Sequence, residues 1–227
     1  MAPDFGDSAP LLSWLEASRA ALQGLTPTAD LLASVAPHEP PAPVAPLGRH
    51  GDPTWRAFVS AVYLADLASY PEPSSQVDFP RLLHVMHAFP RGFRLWSAEV
   101  PGAGRLPVGY SGWYPISEAS FTALSRDGES RSDRLVAPLA DDASGGFLYL
   151  FNFSVVPQLK GTSAARRLLQ AYASDVNAAE PRGLAAITVS PEGVRVVERF
   201  GLRRAGTVRG EGGEEAVFVT ARPRQRG

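Results

Sequence analysis

The sequence predicts an α/β fold, a central sheet flanked by helices, and three stretches carry that prediction. In Phe147 to Leu169 an apolar run through Val156 meets Pro157, a small-residue turn, and then Arg166-Arg167-Leu168-Leu169. That order is a strand, a tight turn and a helix start. Leu184 to Val189 is a second apolar run, followed by Ser190-Pro191-Glu192, which reads as an N-cap, a first-position Pro and a first-turn acid. Phe93 to Val100 and Pro107 to Ile116, joined by Pro101-Gly102-Ala103-Gly104-Arg105, read as a hairpin.

Composition narrows the functional classes. With 227 residues and 44% hydrophobic content the chain can build one substantial core with an appendage. A net charge of −1 argues against broad electrostatic binding to nucleic acid. The absence of cysteine excludes disulfides, thiolate zinc sites and an acyl-cysteine intermediate. Met-Ala-Pro-Asp-Phe-Gly-Asp at the start lacks the basic region and apolar core of a secretory signal, and no uncharged apolar run is long enough to span a bilayer. A cytoplasmic location with no membrane partner is the expectation.

Along the chain, residues 1–36 read as an N-terminal helical arm. Its first helix carries Leu15, Ser18, Leu22 and Leu25 along one side, and Asp30 to Val35 adds a short second helix. The arm is either a dimerisation element or lid, or a helix pair docked on its own domain; apolar stripes usually face a core. Residues 37–53, rich in proline, read as an extended linker. Residues 54–222 form the main domain, with a tail at 223–227. Its opening helices are Thr54 to Ser69, with Phe58, Val62, Ala65 and Leu67 largely inward, and Pro80 to Phe89. No convincing strand precedes them. Ser117 to Gly145 is a polar insertion with room for one short helix, and loops of this length often bind something. After the helix that begins at Ser190, carries Val194, Val197 and Phe200, and ends at Gly201, Thr207-Val208 and Glu215 to Thr220 form a closing hairpin. Gly210 to Gly213 is read as its turn, with no phosphate assigned.

The turn after Val156 is the main site candidate. A helix start presents unpaired N–H groups and the positive end of a dipole, which together favour phosphate. Gly161, Thr162, Ser163, Ala164 and Ala165 are small enough for a diphosphate to approach the backbone. The alternative is an ordinary strand-to-helix crossover.

Strand, small-residue turn, helix, strand and a helix ending in Gly is the pattern in which the chain resembles the GNAT superfamily of acyl-coenzyme A dependent N-acyltransferases. The resemblance runs from Arg94 to Arg222. The family turn carries Gln or Arg, two free positions, Gly, one free position, then Gly or Ala. Keeping Leu168 and Leu169 in register assigns these places to Lys160, Ser163 and Ala165. The other register, on Gln158, Gly161 and Ser163, displaces the leucines by two. Both put Ser at one family Gly, and a Ser there still offers its N–H and adds a hydroxyl.

The resemblance implies a mixed, mostly antiparallel sheet with a splayed strand pair, and acetyl-CoA or another acyl-CoA as co-substrate. It implies a pantetheine arm along Phe153, Ser154, Val155 and Val156, with the Val155 N–H as oxyanion donor, and a diphosphate at Lys160, Gly161, Thr162, Ser163, Ala164, Ala165 and Arg166. The implied reaction is direct attack by an amine on the thioester in a ternary complex, the acceptor being a small molecule. A protein or peptide amine, and a catalytically silent acyl-CoA-binding module, are the alternatives. Many relatives place a Glu base where this chain has Tyr149, whose reference pKa of about 10 makes it a poor base but leaves a relay through water open. Asn152 and Ser154 share that strand by alternation. Ser190 fills a slot that is Asn in many members, and Val197 stands where relatives often carry a Tyr that protonates the departing sulfur.

Other polar groups have two readings each. Arg166 and Arg167 pair with coenzyme phosphates or form a solvated face. Trp96, Tyr110, Trp113 and Tyr114 line an acceptor cleft or pack a core. His84 and His87 have a helical spacing that can share a metal, but no third ligand completes a site, so no metal is expected. A homodimer is the open option for a protein partner.

Overall fold

A computed structural model describes residues 8–41, 52–70, 72–125, 146–210 and 213–220. Most of the Pro-rich linker, the insertion from 126 to 145, the 211–212 part of the closing turn and the tail lie outside the described residues. The helices are α1 (Ser8–Gln23), α2 (Ala29–Ser34), α3 (Pro53–Ser69), α4 (Phe79–Ala88), α5 (Glu118–Ser125), α6 (Ser163–Ala178) and α7 (Pro191–Arg199). The strands are β1 (Ala36–His38), β2 (Phe93–Val100), β3 (Gly104–Ile116), β4 (Phe147–Val155), β5 (Gly183–Thr188), β6 (Arg203–Gly210) and β7 (Gly213–Val219). They form one sheet in the order β1-β2-β3-β4-β5-β7-β6. Pairing is antiparallel for β1/β2, β5/β7 and β6/β7 and parallel for β4/β5.

Local signals in the sequence fix where helices begin. Thr28, Asp52 and Asp78 cap α2, α3 and α4, and the last two are followed by Pro in the first turn. Each side-chain oxygen accepts a backbone N–H that the helix itself leaves unpaired.

Two compact units divide the chain. The first comprises Met1–Ser111 and Phe153–Tyr172, and holds α1 to α4, β1, β2, most of β3 and the beginning of α6. Leu15, Leu22, Leu25, Leu31 and Val35 share a hydrophobic cluster with Leu64, Trp96, Val108, Leu159 and Leu168. Of the two readings of the arm, the structure has the docked helix pair. The structure also supplies the strand that the sequence did not reveal: Ala36, Pro37 and His38 pair with Ser97, Trp96 and Leu95 of β2. Pro37 and His38 were expected to open the linker, and Ala36 to end the arm. Pro37 is tolerated because β1 ends the strand order and is hydrogen-bonded to one neighbour only.

A buried polar contact ties α3 to β3. Asp66, fully buried, accepts the Tyr110 hydroxyl at 2.8 Å and the Val77 N–H at 2.8 Å. A hydrogen bond to a charged group contributes about 1.5–3 kcal/mol. Tyr110→Phe is therefore expected to lower the melting temperature by about 3–12 °C, and an unshifted melt would refute this role. The same carboxylate and that of Asp78 help burial, the larger cause, to raise the Tyr63 pKa.

His38 carries a pH dependence. Its Nε2 accepts Arg105 Nη1 at 3.4 Å, while Arg105 Nε binds Glu99 at 2.7 Å. Burial, and then the Arg105 charge, hold the His38 pKa below 6.5. The unfolded chain therefore takes up a proton that the folded chain resists. The contribution is complete above the unfolded pKa and is lost as pH falls from there toward the depressed folded value. Between about pH 7 and about pH 5 the wild-type melting temperature should fall more steeply than that of His38→Gln. Parallel curves would show that His38 makes no such contribution.

The second unit comprises Gly112–Asn152 and Ala173–Gly227. Its core includes Phe121 stacked on Phe147 at 4.6 Å and Tyr114 against Tyr149 and Phe151 at 5.3 and 5.7 Å. Gly183 lies beneath the first pair; a Cβ there would sit 2.9 Å from both rings. The closing hairpin is longer than the sequence suggested, since β6 begins at Arg203. Among the aromatic residues of the β2–β3 hairpin, Trp96, Tyr110 and Tyr114 are core residues and Trp113 is half-buried.

Candidate active site

In the first unit, β4 ends beside β3 at close range. A Cβ on Gly109 would lie 2.5 Å from the Ser154 carbonyl oxygen, so only Gly allows this approach. The Val156 N–H donates to the Val108 carbonyl at 3.0 Å. By strand alternation the Val155 N–H points to the opposite edge of β4. Ser154 is buried, and its hydroxyl has no partner among the described residues. Phe153, half-buried, stacks on Tyr172 of α6 with centroids 5.8 Å apart and planes at 11°.

The chain then makes a 3₁₀ turn at Pro157–Leu159 and reaches Gly161 at φ 78° with open space around it. Thr162 is the N-cap of α6. Its hydroxyl donates to the Leu159 carbonyl at 2.7 Å and accepts the Ala165 N–H at 3.4 Å. The Arg166 N–H bonds the Thr162 carbonyl at 3.3 Å. The N–H groups of Gly161, Ser163 and Ala164 have no partner among the described residues. Lys160, Gly161, Ser163 and Arg166 are exposed, while Ala164, Leu168 and Tyr172 face inward at helical spacing. Arg167, offered above as a phosphate partner, donates from Nη2 to the Leu32 carbonyl at 2.7 Å.

In the second unit, β4 and β5 pair over Phe147↔Gly183, Leu148↔Leu184 and Tyr149↔Ala185, and the pairing stops there although both strands continue. On its other side β5 stays paired with β7 from Ala185↔Val219 to Thr188↔Ala216. This is the splayed pair that the resemblance implied. Tyr149 is only 4% exposed, and its ring packs on Tyr114. Asn152 is half-buried. Thr188 is buried with no hydroxyl partner among the described residues, at the end of β5. Ser190 caps α7 as expected, accepting the Gly193 N–H at 3.1 Å, and Gly201 ends that helix at φ 78°. Val197 is buried.

The structure thus gathers Phe153 to Val156 and Lys160 to Arg166 in the first unit, and puts Tyr149, Asn152 and Ser190 in the second. His84 is exposed and His87 half-buried on α4, and no group of three metal-binding side chains occurs among the described residues. Sequence reasoning missed Thr162 as a cap, although a Thr directly before a helix start is a readable signal. It also missed that Gln158 and Arg167 bond backbone carbonyls of the arm, 135 residues away.

No protein-family model and no curated protein sequence matches the chain. Solved structures do match it. The loading GNATL domain of CurA from Lyngbya majuscula superposes with a TM-score of 0.56 at 12% identity, over 82% of this chain and 96% of that domain. The GphF GNAT-like decarboxylase in complex with isobutyryl-CoA superposes with a TM-score of 0.53 at 14% identity, over 83% of this chain and 99% of that one. At such identities the likeness is one of fold. Together with the strand order and the splayed β4/β5 pair, it establishes that the chain has the GNAT fold, carried by a divergent sequence.

Proposed function

We propose that the chain is an acyl-coenzyme A dependent N-acyltransferase acting on an amine of a small molecule. The observation that carries this reading is the trio of N–H groups at Gly161, Ser163 and Ala164, unpartnered among the described residues, at the start of a 16-residue helix. Such donors, backed by the helix dipole, suit a diphosphate, and exposed Arg166 adds a cation. The isobutyryl-CoA bound to GphF, a protein of this fold, supports an acyl-CoA as the co-substrate.

In this reading the pantetheine arm lies along Phe153 to Val156, and the Val155 N–H donates to the developing oxyanion. The amine nitrogen attacks the thioester carbonyl carbon. The C–S bond then breaks, sulfur leaves as thiolate, and the amine proton passes to water. A thiol pKa of about 8.5 lets thiolate depart without an acid, at a cost within the roughly 100-fold to 10,000-fold range of acid–base assistance.

Val197 favours a second reading, a catalytically silent acyl-CoA binder, because a buried Val supplies no proton to sulfur. The two separate in one experiment: thermal shift with coenzyme A, followed by free-thiol release from acetyl-CoA and longer acyl-CoAs against small amines and peptide N-termini. Binding with turnover on a small amine supports the transferase. Binding without turnover on any acceptor supports the silent module, and no binding refutes both.

A further inference from the structure

The turn that carries the proposed coenzyme site is fastened on both sides to the N-terminal arm. Before it, Gln158 Nε2 donates to the carbonyl of Gln23, the last residue of α1, at 2.9 Å. After it, Arg167 Nη2 donates to the carbonyl of Leu32, in the last turn of α2, at 2.7 Å. Both acceptors belong to the carbonyls that a helix end leaves without an intrahelical partner, and a guanidinium there also complements the negative end of the dipole. Only the amide nitrogen of Gln158 can meet a carbonyl, and its Oε1 is left buried without a partner among the described residues. The orientation of that side chain is therefore dictated by the arm. Beneath the two bonds, Leu22, Leu25 and Leu31 share one hydrophobic cluster with Val156, Leu159, Ala164 and Leu168.

We infer that the arm, residues 8–35, is part of the coenzyme site, with Gln158 and Arg167 as positioning residues that couple the order of the arm to the order of the turn. This rests on the coenzyme A reading above. The turn has open space around Gly161 and holds itself with a few local bonds, so a fixed neighbour on each side limits how far its backbone can move. Coupling is reciprocal: whatever the docked arm adds to coenzyme affinity, bound coenzyme adds to the docking of the arm.

Hydrogen exchange tests this in the full chain with free coenzyme A as the probe. Saturating coenzyme A should slow exchange at residues 22–34 by about 5-fold, the low end of typical couplings. In the Gln158→Leu/Arg167→Met double variant the dissociation constant for coenzyme A should rise by about the same factor, and the protection of 22–34 should disappear. Gln158→Leu alone, which alters no charge, gives a smaller change in the same direction and serves if the double variant does not fold. Coenzyme binding with no slowing at 22–34, or variants with wild-type affinity and protection, overturns this inference and leaves the coenzyme reading standing. A wild-type chain that does not bind coenzyme A overturns both.

Discussion

Ser163→Glu is expected to abolish coenzyme A binding while leaving the free protein as stable as before or slightly more so. Ser163 is exposed at the first position of α6, with its N–H unpartnered among the described residues. A carboxylate there complements the helix dipole, for about 0.3–1 kcal/mol of added stability. The same carboxylate occupies the field meant for the diphosphate. Like charges about 4 Å apart repel by about 4 kcal/mol at an effective dielectric constant of 20, which is roughly a thousandfold in affinity. Melting curves with and without coenzyme A check both halves. A variant that keeps its coenzyme-induced shift would remove the diphosphate from this turn.

Gly109→Ala should be the most damaging single-methyl change in the first unit. Its Cβ would lie 2.5 Å from the Ser154 carbonyl oxygen, 3.0 Å from Leu168 Cδ2 and 3.3 Å from Val155 Cα. The leucine tip can rotate away, but the two backbone atoms cannot, so β3 and the end of β4 must part. Overpacking of this kind costs up to about 3 kcal/mol, or roughly 6–12 °C in melting temperature for a chain of this size. Because the displaced segment is Ser154-Val155, coenzyme affinity should fall as well. Wild-type melting and affinity together would mean that the strands do not approach so closely.

The parts of the fold that the sequence revealed are those with local, repeated signals. Ser190-Pro191 and Gly201 bracketed α7 because cap, Pro and terminal Gly each act within one turn of the chain. The strand at Phe147–Val155 was visible from its apolar run, and the turn after it from its small residues. β1 was not visible, since three residues with a central Pro have neither a period nor β propensity, and only pairing with Trp96 makes Pro37 part of a strand. The candidate site was legible in the same uneven way. The helix start at Ser163 is a local signal, and the backbone N–H groups that a helix start leaves unpaired do not depend on side-chain identity. Side-chain roles depend on partners far along the chain. Nothing near Arg167 announces the Leu32 carbonyl, and nothing near Tyr110 announces Asp66.

The two strands that end the sheet order are β1 and β6. The first offers three residues, one of them a Pro with no N–H to give. The second carries exposed Arg203, Arg204 and Arg209. Both are poor templates for an incoming strand, one by length and chemistry and the other by charge. Each of these two edges is thereby protected against pairing with a strand of another chain.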